Sequence, residues 1–147
     1  MVNQAIQGKT YPPVEPYLVG REKIREFAKA TLSTSPLHTD VAAAREAGYA
    51  DVIAPPTFAI VIQEATLKQL LSDESAEVDF SRVVHGDQRF VYSRPIVAGD
   101  ELVGQMQVTS VKQLGGHSMV TSTTEITDAH GELVATATSS LVVRGNE

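Results

Sequence analysis

The sequence predicts an α+β fold in which an antiparallel sheet wraps around one buried helix. Two observations carry that expectation. The first half of the chain sets its apolar residues at helical spacing, and the second half switches to a period of two. The segment APPTFAIVIQEATLKQLL places Phe58, Ile60, Val61, Ile62, Ala65 and Leu67 nearly all round a helix expected over 56–71. A helix apolar on every side is a buried one. The 147 residues are read as a single domain, 1–147, long enough to bury most of its apolar surface around one core.

In chain order, residues 1–10 are polar and are expected to be loose. YPPVEPYLV carries three prolines and suits an extended or edge strand. REKIREFAKATL reads as the first helix, with Ile24, Phe27, Ala28 and Leu32 on its apolar face. A second, short helix follows in SPLHTDVAAAREAGY, with Asp40 as its cap and Gly48 as its stop. Pro55 and Pro56 fall in the loop and first turn of the central helix, where a missing N–H costs nothing. SDESAEVDF is an acidic, exposed loop. Four strands then follow: RVVHGDQRFVYSRPI, DELVGQMQVTSVKQL, HSMVTSTTEITD and ELVATATSSLVVR. The short glycine-bearing clusters VAGD, LGGH and DAHG between them predict antiparallel neighbours.

Composition excludes several function classes. A net charge of −6 argues against nucleic acid, which demands basic surface. With no cysteine there is no disulfide, no thiolate nucleophile and no cysteine-based zinc site. The four histidines lack the spacing to carboxylates that a metal site needs, so neither metal nor cofactor is expected. No apolar run approaches membrane-spanning length and no signal-peptide layout is visible. A cytoplasmic protein is the expectation.

Three strings, VGREKIREFAKA, AAAREAGYADVIAPPTF and HGDQRFVYSRPIVAGDEL, together with the strand order, resemble the MaoC-like hot-dog dehydratases and R-specific enoyl hydratases. The resemblance covers nearly the whole chain. It is closer still to the N-terminal-type domain and to the accessory subunit of heterodimeric (3R)-hydroxyacyl-thioester dehydratases. It implies a hot-dog fold, edge-to-edge pairing of two such units, and an acyl thioester of coenzyme A or acyl carrier protein as substrate. The implied reaction adds water across, or eliminates it from, the C2–C3 bond. That chemistry needs a base, an acid and a donor for the enolate-like oxygen.

Active members of the resembled family carry Asp-x-Asn-Pro-aliphatic-His. The corresponding string here is Ser33-Thr34-Ser35-Pro36-Leu37-His38. Pro36, Leu37 and His38 match; Ser33 replaces the carboxylate and Ser35 the asparagine. A serine hydroxyl is a poor acid–base group near neutral pH. Active members also place His-Gly at the start of the central helix, where the glycine N–H binds the thioester oxygen. Pro55 and Pro56 stand there instead, followed by Thr57, and proline has no N–H to donate. Ser33, Ser35, Pro56 and Thr57 are accordingly expected to line the acyl-thioester site without doing its chemistry.

His38 is the candidate catalytic residue, with a hydrogen-bonded structural histidine as the competing reading. His85 and Asp87 form a second candidate pair. On a regular strand they would share a face, close enough for the carboxylate to orient the imidazole. A polar cluster at the sheet edge is the alternative. Arg89 and Arg94 are candidates for a phosphate-bearing ligand or simply solvated; His117 and His130 read as turn residues.

Three functions follow. The first is the acyl-binding subunit of an R-specific dehydratase or hydratase, homodimeric in isolation or heterodimeric with a complete-motif chain. The second is a homodimeric hydratase or thioesterase using His38 or the His85/Asp87 pair. The third is a non-enzymatic acyl-thioester binder.

Overall fold

A computed structural model describes residues 1–146. Its chain order is β1 (Tyr17–Leu18), α1 (Arg21–Ala30), α2 (Val41–Glu46), α3 (Ile60–Ser72), β2 (Val83–Tyr92), β3 (Glu101–Leu114), β4 (His117–Thr127) and β5 (Leu133–Val143). The strands form one antiparallel sheet in the order β1-β3-β4-β5-β2. Helix α3 touches both halves of it. Ile62 and Thr66 lie where a side chain on Gly104 of β3 would stand, and Thr66 shares a 2.9 Å hydrogen bond with Thr124 of β4. On the far edge Gln88 of β2 donates to Gln63 at 2.6 Å. A sheet whose third-from-edge and edge strands both reach one helix must curl around it, which is the hot-dog arrangement.

Gly104 is what lets the helix sit so deep. A Cβ there would come within 2.9 Å of Ile62 Cγ2 and 3.1 Å of Thr66 Cγ2. The concave face is filled by Leu102, Met106 and Val108 of β3, Ile126 of β4, and Ala135 and Ala137 of β5. A bulge between Val108 and Ser110 shifts the alternation by one, so that Val111 rather than Ser110 is buried.

Several expectations are met. Asp40 caps α2 by accepting from the Ala42 and Ala43 N–H groups, and Gly48 ends it at φ +99°. Gly115 and Gly116 close the β3–β4 hairpin, both at positive φ.

Others are corrected. Regular α3 begins at Ile60, not 56, because residues 55–59 form successive tight turns, with Phe58 N–H donating to Pro55 O and Ile60 N–H to Thr57 O. One face of α3 is sunk (Ile62, Gln63, Thr66, Leu70), but Glu64, Ala65 and Lys68 are exposed, so the helix is not covered all round. The VAGD segment is not a hairpin: β2 pairs only with β5, so the chain crosses the sheet to begin β3. The N-terminal residues are not loose, since Val2 and Ile6 plug the end of the core and Asn3 N–H donates to Ala76 O. Leu32 does not pack; it is exposed at φ +58°, where α1 ends and the chain doubles back.

The segment between residues 8 and 19 covers the β3 edge through bonds from Gly8, Tyr11 and Val14 N–H groups. The other edge, β2, is left open along its ten residues. Among the described residues, no helix is long and apolar enough to cross a membrane.

Candidate active site

The left-handed Leu32 turns the chain off α1, and Ser33 N–H closes that turn onto Ala28 O at 2.8 Å. Ser35 then caps a tight turn over Pro36–His38, accepting from Leu37 N–H at 3.3 Å. Pro36 opens that turn, a position that needs no donor. His38 is thereby delivered inward and is 8% exposed. Its Nδ1 bonds the Ile53 carbonyl at 2.7 Å, while Ile53 N–H donates to Leu37 O at 2.9 Å. A carbonyl oxygen can only accept, so Nδ1 carries a proton, and the neutral tautomer compatible with this bond has its lone pair on Nε2.

His38 lines a cavity of about 470 Å³ together with Pro55, Pro56, Tyr92, Arg94 and Ile96, among others. Tyr92 projects from the end of β2, and its hydroxyl accepts from the buried Ala59 N–H at 3.3 Å. Burial pushes the Tyr92 phenol up, against the opposing pull of that N–H, so the group stays neutral near neutral pH. Arg94 is held by Asp100 at 2.8 and 3.1 Å and by Asp128 at 3.4 Å. The Asp100 bond above all raises its guanidinium pKa. Both carboxylates are spent on this ion pair, and among the described residues no Asp or Glu lines the cavity. The site therefore offers one imidazole lone pair and one phenol without a carboxylate beside them.

The remaining sequence candidates fall as follows. Ser33 shares a 3.1 Å hydrogen bond with Thr31, and neither Ser33 nor Ser35 is among the cavity-lining residues. Pro56 lines the cavity; Thr57 is exposed beside it, and its N–H meets no acceptor among the described residues. His85 and Asp87 do not share a face. A bulge at Gly86 reverses the alternation, and the His85 ring meets the Asp87 backbone oxygen at 3.1 Å rather than its carboxylate. The His85 ring lies within 3.4 Å of the buried Ser139 hydroxyl and beside Leu67 and Leu71 of α3, and both His85 and Asp87 are exposed. Arg89 is exposed. His117 starts β4, accepting from Gly145 N–H, and His130 lies in the β4–β5 turn. Among the described residues no three His, Asp or Glu side chains converge as a metal site.

Residues 5–137 match the family described as FAS1-like, dehydratase domain region. This chain belongs to the MaoC-like hot-dog dehydratase family. A UPF0336 protein of Leifsonia xyli subsp. xyli is 64% identical over 99% of this chain and 98% of its own length. A solved MaoC-like dehydratase is 37% identical, with a TM-score of 0.88 over 97% of this chain. The match spans only 43% of that longer protein. The C-terminally truncated HadBC (3R-hydroxyacyl-ACP dehydratase) complex from Mycobacterium tuberculosis is 35% identical, with a TM-score of 0.80 over 93% of this chain and 96% of the matched one.

Tyr92 is the site residue that sequence reasoning missed. Its signal was the inward phase of Gln88, Phe90 and Tyr92, which becomes visible only once the bulge at Gly86 is placed. Within the MaoC-like family resemblance, the glycine N–H donor of active members has no counterpart at Pro55 or Pro56, and a phenol hydroxyl stands beside that point instead.

Proposed function

We propose that this chain is the acyl-binding subunit of a cytoplasmic R-specific 3-hydroxyacyl-thioester dehydratase or enoyl hydratase. Its substrate is an acyl group carried on coenzyme A or acyl carrier protein. The observation that carries this reading is the His38 cavity, which keeps the family's Pro-Leu-His turn and a free Nε2 yet has no carboxylate on its walls. General acid–base hydration needs two proton-handling groups matched to the pH. A complete-motif MaoC-like chain supplies them in the assembled enzyme.

The open edge of β2 is the pairing surface. Val84 and Val91 are exposed along it, and an unpaired edge of this length invites a second strand. The 35% identity to a chain of the two-component HadBC complex supports the same arrangement. Co-expression with a complete-motif dehydratase and co-purification test it. A stable one-to-one complex is expected, and a chain that stays monomeric at micromolar concentration with and without such a partner contradicts it.

A further inference from the structure

One cavity lies near each end of the seam between α3 and the inner face of β2. The His38 cavity is at the start of α3, beside Tyr92. The second, a groove of about 390 Å³, is near the helix's other end, walled by Leu67, Leu71, Val83 and Leu141, with the exposed Glu64, Lys68, Phe80 and His85 at its rim. Along the seam β2 turns Tyr92, Phe90 and Gln88 toward the helix in succession. Ala59 of the turn leading into α3 is bonded to Tyr92, and Gln63, one turn on, is bonded to Gln88. The Gln63–Gln88 bridge thus crosses the seam between the two cavities.

Other buried polar groups near that bridge, Thr66, Thr124 and Ser139, have hydrogen-bond partners. Gln63 is fully buried, yet among the described residues its Nε2 has no partner, and neither has Gln88 Oε1. Leaving a buried amide donor and acceptor unpaired is destabilising relative to an apolar pair of the same shape. A leucine at each position would leave no polar atom there to be stranded. The bridge is held by one 2.6 Å bond; Gln88 is half-buried on an edge strand with a further 3.4 Å contact to the Arg89 carbonyl, whereas Gln63 is fully buried in α3.

We propose that the Gln63–Gln88 bridge is a gate that sets the acyl chain length this subunit accepts. This rests on the acyl-thioester reading of the His38 cavity. A short acyl group ends against the amides. A longer one must break the bridge and strand two polar groups against its methylenes, losing the benefit of entering the second cavity.

Isothermal titration of the full chain with saturated acyl-coenzyme A thioesters from butanoyl to hexadecanoyl tests the gate by binding, so the missing carboxylate does not interfere. Wild-type affinity is expected to rise with chain length and then level off. In Gln63→Leu/Gln88→Leu the rise is expected to continue, at up to roughly fourfold per methylene. The double variant should also melt no lower than wild type, because it removes the unpaired atoms. Gln88→Ala, which opens the bridge without adding bulk, should move the plateau in the same direction. Identical length profiles in all three proteins overturn the gate alone. If none of them binds any thioester, the acyl-binding reading falls and the gate falls with it.

Discussion

His38 and Ile53 are bonded side chain to backbone at 2.7 Å, with the imidazole Nδ1 donating to the carbonyl oxygen. This bond fixes the tautomer and aims Nε2 away from Ile53, on a ring that lines the cavity. It also ties the Pro36–His38 turn to the segment leading into α3. The geometry leaves Nε2 beside a phenol, with no Asp or Glu among the described residues lining the cavity.

The N-terminal arm depends on Asp73. It accepts from Lys9 Nζ at 2.6 Å and from the Tyr11 hydroxyl at 2.7 Å. The Lys9 bond first, then those from Ser75 and Tyr11, hold its carboxyl well below the usual range. A carboxyl depressed in the folded state stabilises above its unfolded pKa of about 3.9, and that stability is lost as pH falls through the lower folded value. Asp73→Asn therefore lowers the melting temperature at neutral pH by a few degrees, and the gap narrows on acidification below about pH 4. Melts from neutral pH down to about pH 2 check this. An equal gap at every pH contradicts it.

Gly104 sets the depth of α3. Gly104→Val drives a branched side chain into Ile62 and Thr66, contacts already at 2.9 and 3.1 Å for a Cβ alone. The expected loss is about 1–3 kcal/mol from overpacking. Urea unfolding should show an earlier midpoint, with Gly104→Ala between variant and wild type; an unmoved midpoint for the valine variant contradicts the close-packed helix.

Tyr92 satisfies the Ala59 N–H at the entry to α3. Tyr92→Phe leaves that buried donor without its acceptor, at a cost of about 1–3 kcal/mol. The same chemical unfolding measurement reads it, and a loss below the error of the midpoint would remove Tyr92 from this role.

The parts legible from sequence were those whose signal is periodic and local. The central helix and four strands follow from spacing, and Asp40 and Gly48 announce α2. What escaped depends on partners distant in sequence. VAGD has turn composition and suggests a hairpin after β2, but β2 pairs with β5 and the chain crosses the sheet to begin β3. The bulge at Gly86 leaves no mark in a period-two count, and such a count puts His85 and Asp87 on one face. Val2 and Ile6 are too sparse to show a pattern, yet both close the core. His38 was legible from its motif; its tautomer and the absence of a carboxylate from the cavity walls needed the fold.

The central claim is that this subunit binds the acyl group and its partner performs the hydration. Steady-state hydration of crotonyl-coenzyme A measures it directly, comparing the lone chain, the chain assembled with a complete-motif dehydratase, and the same assembly carrying His38→Ala. The lone chain is expected to turn over far more slowly than the assembly, and His38→Ala to leave the assembled rate within about tenfold, no more than ~1.4 kcal/mol in barrier. Brisk turnover by the lone chain, abolished by His38→Ala, would contradict the account.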